Sequence, residues 1–259
     1  MPIRHNLSRR ALLKAAGGLG AALLTGCDQV TQSEAPRRML AKAESLNIAV
    51  QRALGGSALA AEFGEADLSP SFRANGTTNP DSKSYQALAA QGFADWRLEV
   101  GGLVDRPARF SMADMRALPS RTQITRHDCV EGWSCIGKWK GTRLSALLAQ
   151  VNPRPGARYL VFRCADALPG EGLSPPVPYY ESIDLHDALH EQTILAYEMN
   201  GQDLPVRHGA PLRLRVERAL GYKHAKYVMS IELADSLEKI GGGNGSYWAD
   251  HGYSWYAGI

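Results

Sequence analysis

The sequence contains few cysteines, and none of them is arranged for a zinc ribbon or a covalently attached haem. Four cysteines occur among 259 residues, at positions 27, 129, 135 and 164. No two of them form a Cys-x-x-Cys pair, and the sequence has no Cys-x-x-Cys-His segment. The sequence therefore argues against a structural zinc site of that type and against a c-type haem.

Positive charge is also scarce once the first segment is set aside. The chain has 29 Lys and Arg residues against 26 Asp and Glu, but four of the basic residues lie within the first 26 positions, which leaves 25 against 26. They are Arg4, Arg9, Arg10 and Lys14. A nearly neutral remainder gives no reason to expect a nucleic-acid partner.

The N-terminal segment lacks an apolar run long enough to span a bilayer. Ser8 to Lys14 has the form of a twin-arginine export signal, and the apolar run that follows, Ala15 to Leu24, is too short for a stable membrane span. Leu24-Thr25-Gly26-Cys27 resembles a lipobox, in which the cysteine is lipidated and becomes the first mature residue. We therefore expect a lipoprotein signal peptide over residues 1–26, a polar tether over 27–36 and one domain over 37–259. The alternative is ordinary cleavage nearby, with Cys27 discarded.

These features predict a location as well as a domain order. A twin-arginine signal directs export by the Tat machinery, which carries proteins that have already folded. We expect a periplasmic protein held at a membrane by lipidated Cys27.

The most informative segment surrounds Cys129. It reads Arg126-His127-Asp128-Cys129-Val130-Glu131-Gly132-Trp133. A thiolate is a soft ligand for a transition metal, and we expect the arginine and histidine just upstream to favour the thiolate form. The alternatives are a buried structural cysteine and a disulfide between Cys129 and Cys135.

Further segments extend this motif along the chain. They are Trp139-Lys140-Gly141, Tyr179 to Ile183, Asn200-Gly201, His208 to Arg213 and Gly221-Tyr222-Lys223. Together with the Cys129 segment they resemble the sulfite oxidase superfamily of molybdenum enzymes, over roughly Ser69 to Ile259. Their spacing is similar to that of bacterial single-domain members of the methionine-sulfoxide reductase catalytic subunit type.

The resemblance implies an α+β fold, a single mixed-sheet sulfite-oxidase-type molybdopterin-binding domain. It also implies molybdenum and molybdopterin as cofactors, with Cys129 as the one protein ligand to the metal. The implied residues near the metal are Glu131 and Tyr179, with Tyr180 as the competitor of Tyr179. The implied pterin contacts are Asn75, Cys129, Cys164, His208, Arg213, His224, Ala225 and Lys226.

Two of these positions depart from the family pattern. Cys164 stands where the relatives have threonine, and His208 stands where they have asparagine. Both substitutions change the hydrogen-bonding chemistry, because a histidine can act as donor, acceptor or cation.

The stretch from 207 to 226 is rich in cations and predicts a phosphate site. Strand alternation places Arg213 and Arg215 on one face, where guanidinium groups can bind a phosphate through paired hydrogen bonds. Glu217 is the only acid in this stretch. The alternative is a solvated face of a sheet.

The substrate is suggested by one missing arginine. Sulfite oxidases carry an arginine directly before the residue equivalent to Asn75, where this chain has Ala74, with Arg73 one position earlier. In an extended segment a shift of one residue sends the side chain to the opposite face, so we expect Arg73 to point away from the site. Glu131 beside the metal would in addition repel an anion or relay a proton.

We therefore expect a periplasmic molybdenum-pterin oxidoreductase that reduces an S-oxide or N-oxide by oxygen-atom transfer. The substrate is a small molecule or an oxidised side chain, and the electrons come from a separate membrane or soluble cytochrome. We expect a monomer. Three alternatives remain open: sulfite oxidation on the same fold, a non-catalytic lipoprotein that binds without metal, and a thiol oxidoreductase using Cys129 and Cys135.

Local patterns predict the elements that carry these residues. Helices are predicted over 37–54, ending at Gly55-Gly56, over 111–118 from a Ser111 cap, over 144–151 and over 183–190. Strands are predicted at 96–100, 159–164, 212–216 and 229–233, the last two half-buried. Asn200-Gly201 predicts a hairpin, and 169–178 predicts a loop.

Overall fold

The computed structural model describes residue 43 and residues 46–53, 55–169 and 175–259. The predicted signal peptide, Cys27 and the tether lie outside the described residues. Residues 46–53 are helical, and Gly56 adopts a φ of +46°, in agreement with the predicted helix stop. In the parts of the chain listed above, no helix combines the length and the apolar content that a membrane span requires.

The chain divides into two units, one ending at Gly56 and one running from Ser57 to Ile259. The second unit contains, in its described residues, ten strands and five short α helices. The strands are β1 Leu98–Gly102, β2 Ala108–Phe110, β3 Ser120–Asp128, β4 Ser134–Arg143, β5 Tyr159–Leu168, β6 Val177–Asp184, β7 Ile194–Met199, β8 Gln202–Asp203, β9 Arg213–Arg215 and β10 Val228–Ala234. The helices are α1 Lys83–Ala90, α2 Met112–Ala117, α3 Leu144–Val151, α4 Leu185–Ala188 and α5 Tyr247–Asp250.

The strands form two five-stranded sheets. In one sheet the order is β2-β1-β10-β5-β6, and β1 runs parallel to β10 while the other pairs are antiparallel. In the other sheet β3-β4-β7-β8 are neighbours, and β9 adds to β7. This arrangement is the mixed-sheet α+β fold that the sequence predicts.

One apolar core joins the two sheets. Helix α3 contributes Leu144, Leu147, Leu148 and Val151, which recur at the spacing of one helical face and are all buried. Side chains of β5 and β10 from one sheet, and of β7 and β9 from the other, pack into the same cluster. The sheets are therefore held together by burial of apolar surface, and the strand ends that carry the site are positioned by this core.

Several local predictions are confirmed. Asn200 and Gly201 both have positive φ, and they join β7 to β8 as a tight hairpin. The Ser111 hydroxyl accepts from the Asp114 amide while the Asp114 carboxylate accepts from the Ser111 amide, which is the predicted capping box of α2.

Three local predictions are wrong. Residues 183 and 184 belong to β6, where Ile183 pairs with Leu160, so the helix predicted over 183–190 is reduced to α4. Strand β6 also begins at Val177, inside the predicted 169–178 loop. Strand β9 is buried on both faces rather than on one, because Arg213 and Arg215 are enclosed as fully as the leucines between and beside them.

Gly141 in the Trp139-Lys140-Gly141 segment offers a test of this packing. A Cβ atom there would lie 2.3 Å from the backbone oxygen of Leu195 and 2.6 Å from the Cα of Ala196. Because both contacts are with the backbone of the paired strand β7, we expect Gly141→Ala to lower the free energy of unfolding by about 1–3 kcal/mol. Gly101→Ala in β1, where a Cβ would meet no atom within 4 Å, is the matched control. Urea unfolding followed by circular dichroism measures both, and equal stabilities of the two variants would contradict the packing argument.

Candidate active site

Cys129 begins the turn that joins β3 to β4. Its amide donates to the Trp133 carbonyl at 3.0 Å, and its carbonyl accepts from the Gly132 amide at 3.0 Å, with Gly132 at a φ of +82°. The long β3–β4 ladder ends with the pair Asp128 and Ser134, so the thiol stands at the tip of a rigid two-stranded ribbon. The Asn75 side-chain amide donates to Sγ of Cys129 at 3.6 Å.

A cavity of about 180 Å³ opens beside this thiol. Its buried end includes His127, Arg213 and His224, and its outer rim includes Val130 and Tyr253, which are 45% and 41% exposed. The remaining lining residues are Arg73, Asn75, Gly76, Thr77, Cys129, Glu131, Trp133, Asp166, Leu168, Tyr179, Gly221, Tyr222, Lys226 and Trp248.

Most residues selected from the sequence meet at this cavity. Seven of them line it: Asn75, Cys129, Glu131, Tyr179, Arg213, His224 and Lys226. Cys164, His208 and Ala225 are not part of its lining. Cys164 is nevertheless near, since the charge of Lys226 acts on it, and burial raises the pKa of its thiol well above the ordinary value. The His208 carbonyl accepts from the Arg213 guanidinium at 3.3 Å.

Arg215 forms the floor beneath the cavity rather than part of its wall. Its side chain is fully buried, donates from Nε to Glu217 at 2.8 Å, and lies 4.4 Å from the ring centroid of Trp139. The prediction that Arg215 joins Arg213 in holding a phosphate is therefore wrong, because Glu217 neutralises it. Lys223 is likewise neutralised, by Glu181. Arg213 and Lys226 are the cations of this stretch that line the cavity.

The contact with Arg215 also fixes the tautomer of His127. An Arg215 nitrogen lies 3.0 Å from Nδ1 of His127, and a guanidinium can only donate, so Nδ1 accepts and the neutral ring carries its proton on Nε2. Burial first, and then the charges of His224 and Arg213, lower the pKa of His127 well below 6.5. Arg126 is paired with Asp128 at 2.8 Å. His127 is therefore neutral and Arg126 is paired, so neither residue presents an unpaired positive charge at this end of β3.

His224 is the opposite tautomer to His127. Its Nε2 lies 2.9 Å from the Val216 carbonyl and 3.1 Å from the Ala219 carbonyl, so it carries the proton and Nδ1 is an acceptor. The rings of His127 and His224 meet edge to face with centroids 5.0 Å apart. One histidine therefore offers a donor and its neighbour an acceptor.

Lys226 holds the loop that carries Asn75. Its Nζ donates to the Asn75 carbonyl at 2.8 Å and also donates to the Thr77 carbonyl. Burial, and then repulsion from Arg213, lower its pKa to about 7, whereas Asp166 acts in the opposite direction. Burial likewise lowers the pKa of Arg213 to about 9. Both shifts follow mainly from burial, so an anionic group bound in the cavity would favour the charged forms of the two side chains.

Two buried polar atoms of lining residues fit a bound group of mixed hydrogen-bonding character. In the described part of the chain, Nε of Arg213 and Nδ1 of His224 have no hydrogen-bond partner. An unsatisfied buried polar group costs about 1–3 kcal/mol, so a ligand that satisfies them gains that energy. The described residues also contain no cluster of three metal-ligating side chains. The site thus suits a metal with one thiolate from the protein and an anionic organic group that supplies the other ligands.

The rim carries a charged pair that the sequence did not predict. Arg73 lines the cavity, 3.8 Å from Glu131 and over the Trp133 ring at 5.3 Å. The expectation that it points away is wrong, because residues 72–75 have no regular strand structure and so do not alternate between faces. Hydrogen bonds from Trp133 and Asn75, then the charge of Arg73, lower the pKa of Glu131.

The two candidate tyrosines separate clearly. Tyr179 lines the cavity, and its hydroxyl donates to the Tyr222 carbonyl at 2.9 Å. Tyr180 points to the other side of β6, where its hydroxyl donates to Asp250. Burial raises the pKa of Tyr179 well above 10, so its hydroxyl stays protonated.

Asp166 is the main cavity residue that sequence reasoning missed. It follows Cys164 by two positions in β5, where the register with β6 shifts between Arg163 and Ala167, so strand alternation did not indicate it. Burial raises its pKa. Tyr222 was not predicted to line the cavity, because its position there depends on the close packing of Gly221 against His127.

Comparisons with known proteins agree on one family. The model of the oxidoreductase molybdopterin binding domain matches residues 86–239. The chain is 37% identical over 253 residues to a provisionally named protein-methionine-sulfoxide reductase subunit YedZ1 of Azospira oryzae, covering 97% of this chain and 88% of that protein. It is 33% identical over 236 residues to the protein-methionine-sulfoxide reductase catalytic subunit MsrP of Ralstonia nicotianae, covering 88% of this chain and 69% of that protein.

A solved structure gives a weaker match. The sulfane dehydrogenase SoxCD from Paracoccus pantotrophus aligns with 56% of this chain and 40% of its own, with a TM-score of 0.49 and 24% identity.

The buried histidines predict how stability depends on pH. Burial lowers the folded-state pKa of His208 to about 4 and that of His224 well below 6.5, so the unfolded chain binds more protons and the free energy of unfolding rises with pH. We expect the cofactor-free protein to lose stability as the pH falls from about 7 to about 5, by up to about 1.4 kcal/mol per pH unit for each such histidine.

Urea unfolding at a series of pH values measures this slope. His224→Gln should reduce the slope by up to the contribution of one buried histidine. Replacement of the exposed His186 by Gln serves as the control for loss of an imidazole. A slope in His224→Gln equal to that of the unmodified protein would show that the ring is not held neutral by burial.

Proposed function

The chain belongs to the oxidoreductase molybdopterin-binding family of sulfite-oxidase-type enzymes, and from this premise we propose that it reduces a neutral S-oxide. It is an oxidoreductase, and its cofactor is molybdenum bound to molybdopterin. In the proposed reaction the S-oxide takes up two electrons and two protons and yields a thioether and water. An N-oxide is the nearest alternative substrate, because it too is a neutral oxide that loses one oxygen atom.

The observation that carries this proposal is the charge balance at the rim of the cavity. Among the described residues at the rim, the one cation, Arg73, lies 3.8 Å from the ionised Glu131, so its positive charge is paired before an anion arrives. Sulfite would have to displace Glu131 or bind beside it, and its negative charge would repel that of the carboxylate. A neutral oxide meets no such cost. The names of the two relatives, both methionine-sulfoxide reductase subunits, support the same choice.

The protein's own residues would hold and orient the reacting groups. Two-electron redox chemistry at the substrate oxygen is supplied by the molybdenum cofactor when it is bound. Cys129 provides the thiolate ligand, and Asn75 fixes that thiol by its 3.6 Å hydrogen bond. Arg213 and Lys226 would bind the anionic part of the pterin, which in turn would favour their charged forms.

Two further residues would act near the substrate oxygen. Tyr179 keeps its proton and can donate a hydrogen bond once its hydroxyl turns from the Tyr222 carbonyl. Glu131 stays ionised, so it excludes anions and orients Asn75 and Trp133 rather than delivering a proton.

Electrons would arrive from a separate protein, because the sequence has no motif for a second redox cofactor. We propose a membrane or soluble cytochrome as this donor, with the enzyme itself a monomer. Val130 and Tyr253 lie at an exposed side of the cavity, where such a donor could dock.

Loss of the metal ligand provides the direct test of the reaction. Cys129→Ser should abolish S-oxide reduction with an artificial donor and remove molybdenum from a content of about one per chain, because a hydroxyl is a poor soft-metal ligand. Cys135→Ser is the matched control, since both residues are free thiols and only Cys129 lines the cavity. Metal analysis and steady-state assays give the answer.

Each alternative function has its own outcome in this experiment. Full activity in Cys129→Ser would remove the molybdenum chemistry, and loss of activity in Cys135→Ser would favour a thiol oxidoreductase. An exported protein without molybdenum would favour a non-catalytic lipoprotein. Faster turnover of sulfite with an artificial acceptor than of any S-oxide or N-oxide would reverse the proposed direction.

We also propose that the enzyme works in the periplasm, exported by the Tat machinery and anchored by lipidated Cys27. Support comes from the Arg9-Arg10 pair and the lipobox-like Leu24 to Cys27 segment. Export in the folded state suits a chain that must receive its cofactor before it crosses the membrane.

Fractionation of cells tests this location. Cys27→Ala should release folded protein from the membrane or leave an uncleaved precursor, while Lys at both Arg9 and Arg10 should retain precursor in the cytoplasm. Mature-sized Cys27→Ala protein that stays in the membrane fraction would mean that Cys27 is not the anchor.

A further inference from the structure

Three aromatic rings form one wall of the cavity, on the side where Gly221 adjoins β3. Gly221 packs so closely on His127 that a Cβ atom would lie 2.5 Å from Nε2, and 3.2 Å from the Asp128 carbonyl. Tyr222 therefore stands beside the strand end that leads into Cys129. Its ring meets that of Tyr253 with centroids 5.4 Å apart.

The wall continues outward from Tyr253. The rings of Tyr253 and Trp248 have centroids 5.1 Å apart, so the three aromatic side chains make a continuous surface from the Cys129 side to the exposed rim. We call Tyr222, Trp248 and Tyr253 the aromatic wall. The mechanism described above uses none of these side chains.

The aromatic wall is held in place by the chain around it. The Tyr222 hydroxyl donates to the Ser254 carbonyl at 2.8 Å, and the Tyr253 amide donates to the Trp248 carbonyl at 2.9 Å. Helix α5, which carries Trp248, is capped by the Ser246 hydroxyl. A binding surface that is already ordered loses little conformational entropy when a ligand arrives.

We propose that the aromatic wall is a substrate subsite that binds the apolar arm of an S-oxide while its oxygen faces the metal. Aromatic rings contact thioether sulfur and methyl groups favourably, and their faces bury apolar surface without requiring a hydrogen-bond partner. The subsite therefore selects thioether oxides with a sizeable apolar substituent over the smallest oxides. Because the rim is open at Tyr253, the arm can be part of a longer chain that remains outside.

This inference rests on the proposed function, and competition between two substrates tests it. Methyl p-tolyl sulfoxide carries an apolar arm, and dimethyl sulfoxide does not. With the purified, cofactor-loaded protein, both sulfoxides are supplied together and the ratio of their kcat/KM values is measured. Because both compete for the same enzyme, the fraction of protein that carries cofactor does not affect this ratio. We expect Trp248→Ala and Tyr253→Ala each to lower this ratio about tenfold, which corresponds to about 1.4 kcal/mol. Trp248→Phe should retain most of it.

The control is an exposed apolar residue away from the cavity. Leu189 is 52% exposed at the end of α4, and Leu189→Ala should leave the ratio unchanged. If Trp248→Ala does not load cofactor, Tyr253→Ala at the rim carries the test. An unchanged ratio in the Tyr253 and Trp248 variants would overturn the subsite.

A binding measurement separates this proposal from the proposed reaction. Methyl p-tolyl sulfone has the same arm but is not a substrate for oxygen removal under these conditions, and dimethyl sulfone lacks the arm. Calorimetry should show tighter binding of the tolyl sulfone and loss of that preference in Trp248→Ala. If no S-oxide is turned over but this preference is present, the reaction is wrong and the subsite stands. If S-oxides are turned over but the preference is absent, the subsite alone is wrong.

Discussion

The buried Arg215 ion pair is the interaction on which the site depends most. A fully enclosed guanidinium bridges Glu217, Thr125 and the His127 ring, so it ties β9 to β3, while its flat face lies on Trp139 of β4. Removing both charges from water is costly, and such pairs contribute more to a specific geometry than to net stability. Here the contacts fix the position of β3, the strand that leads directly into Cys129. If Arg215 were replaced by an apolar side chain, the buried Glu217 would lose its ion-pair partner and His127 would lose the donor that fixes its tautomer.

The same network divides the basic stretch into two kinds of cation. Arg215 and Lys223 are neutralised inside the protein, whereas Arg213 and Lys226 reach the cavity with lowered pKa values. The folded chain therefore holds a local excess of positive charge that an anionic cofactor offsets. Binding that neutralises buried charge and satisfies orphaned polar atoms stabilises the folded form by mass action. Cofactor and scaffold are thus energetically coupled even though Cys129 is the one ligand that the motif provides.

Structures that depend on residues adjacent in the sequence could be predicted from it. Structures that depend on packing between distant segments could not. The hairpin at Asn200-Gly201 and the capping box of α2 involve neighbouring residues, so their chemistry is visible locally. The Cys129 segment carries its own family motif. The neutral state of His127 was missed because it follows from burial and from Arg215, which lies 88 residues away. Arg73 was assigned to the opposite face because an alternating strand was assumed where the chain is irregular. The contact of Tyr222 with Tyr253 was not predicted, because it depends on packing between segments about thirty residues apart.

The hydrogen bonds from Lys226 to the Asn75 loop have a consequence for the order of events during synthesis. They join Lys226 to residues 149 and 151 positions earlier, and the Tyr222 hydroxyl donates to the Ser254 carbonyl. Contacts between residues so far apart in the sequence form late in folding, because closing a long loop costs conformational entropy before the contacts can stabilise it. Asn75 leaves the ribosome long before Lys226 is translated, so the emerging chain has no cavity to offer. The complete cavity can therefore receive the cofactor only after the segments that close it have been translated and packed.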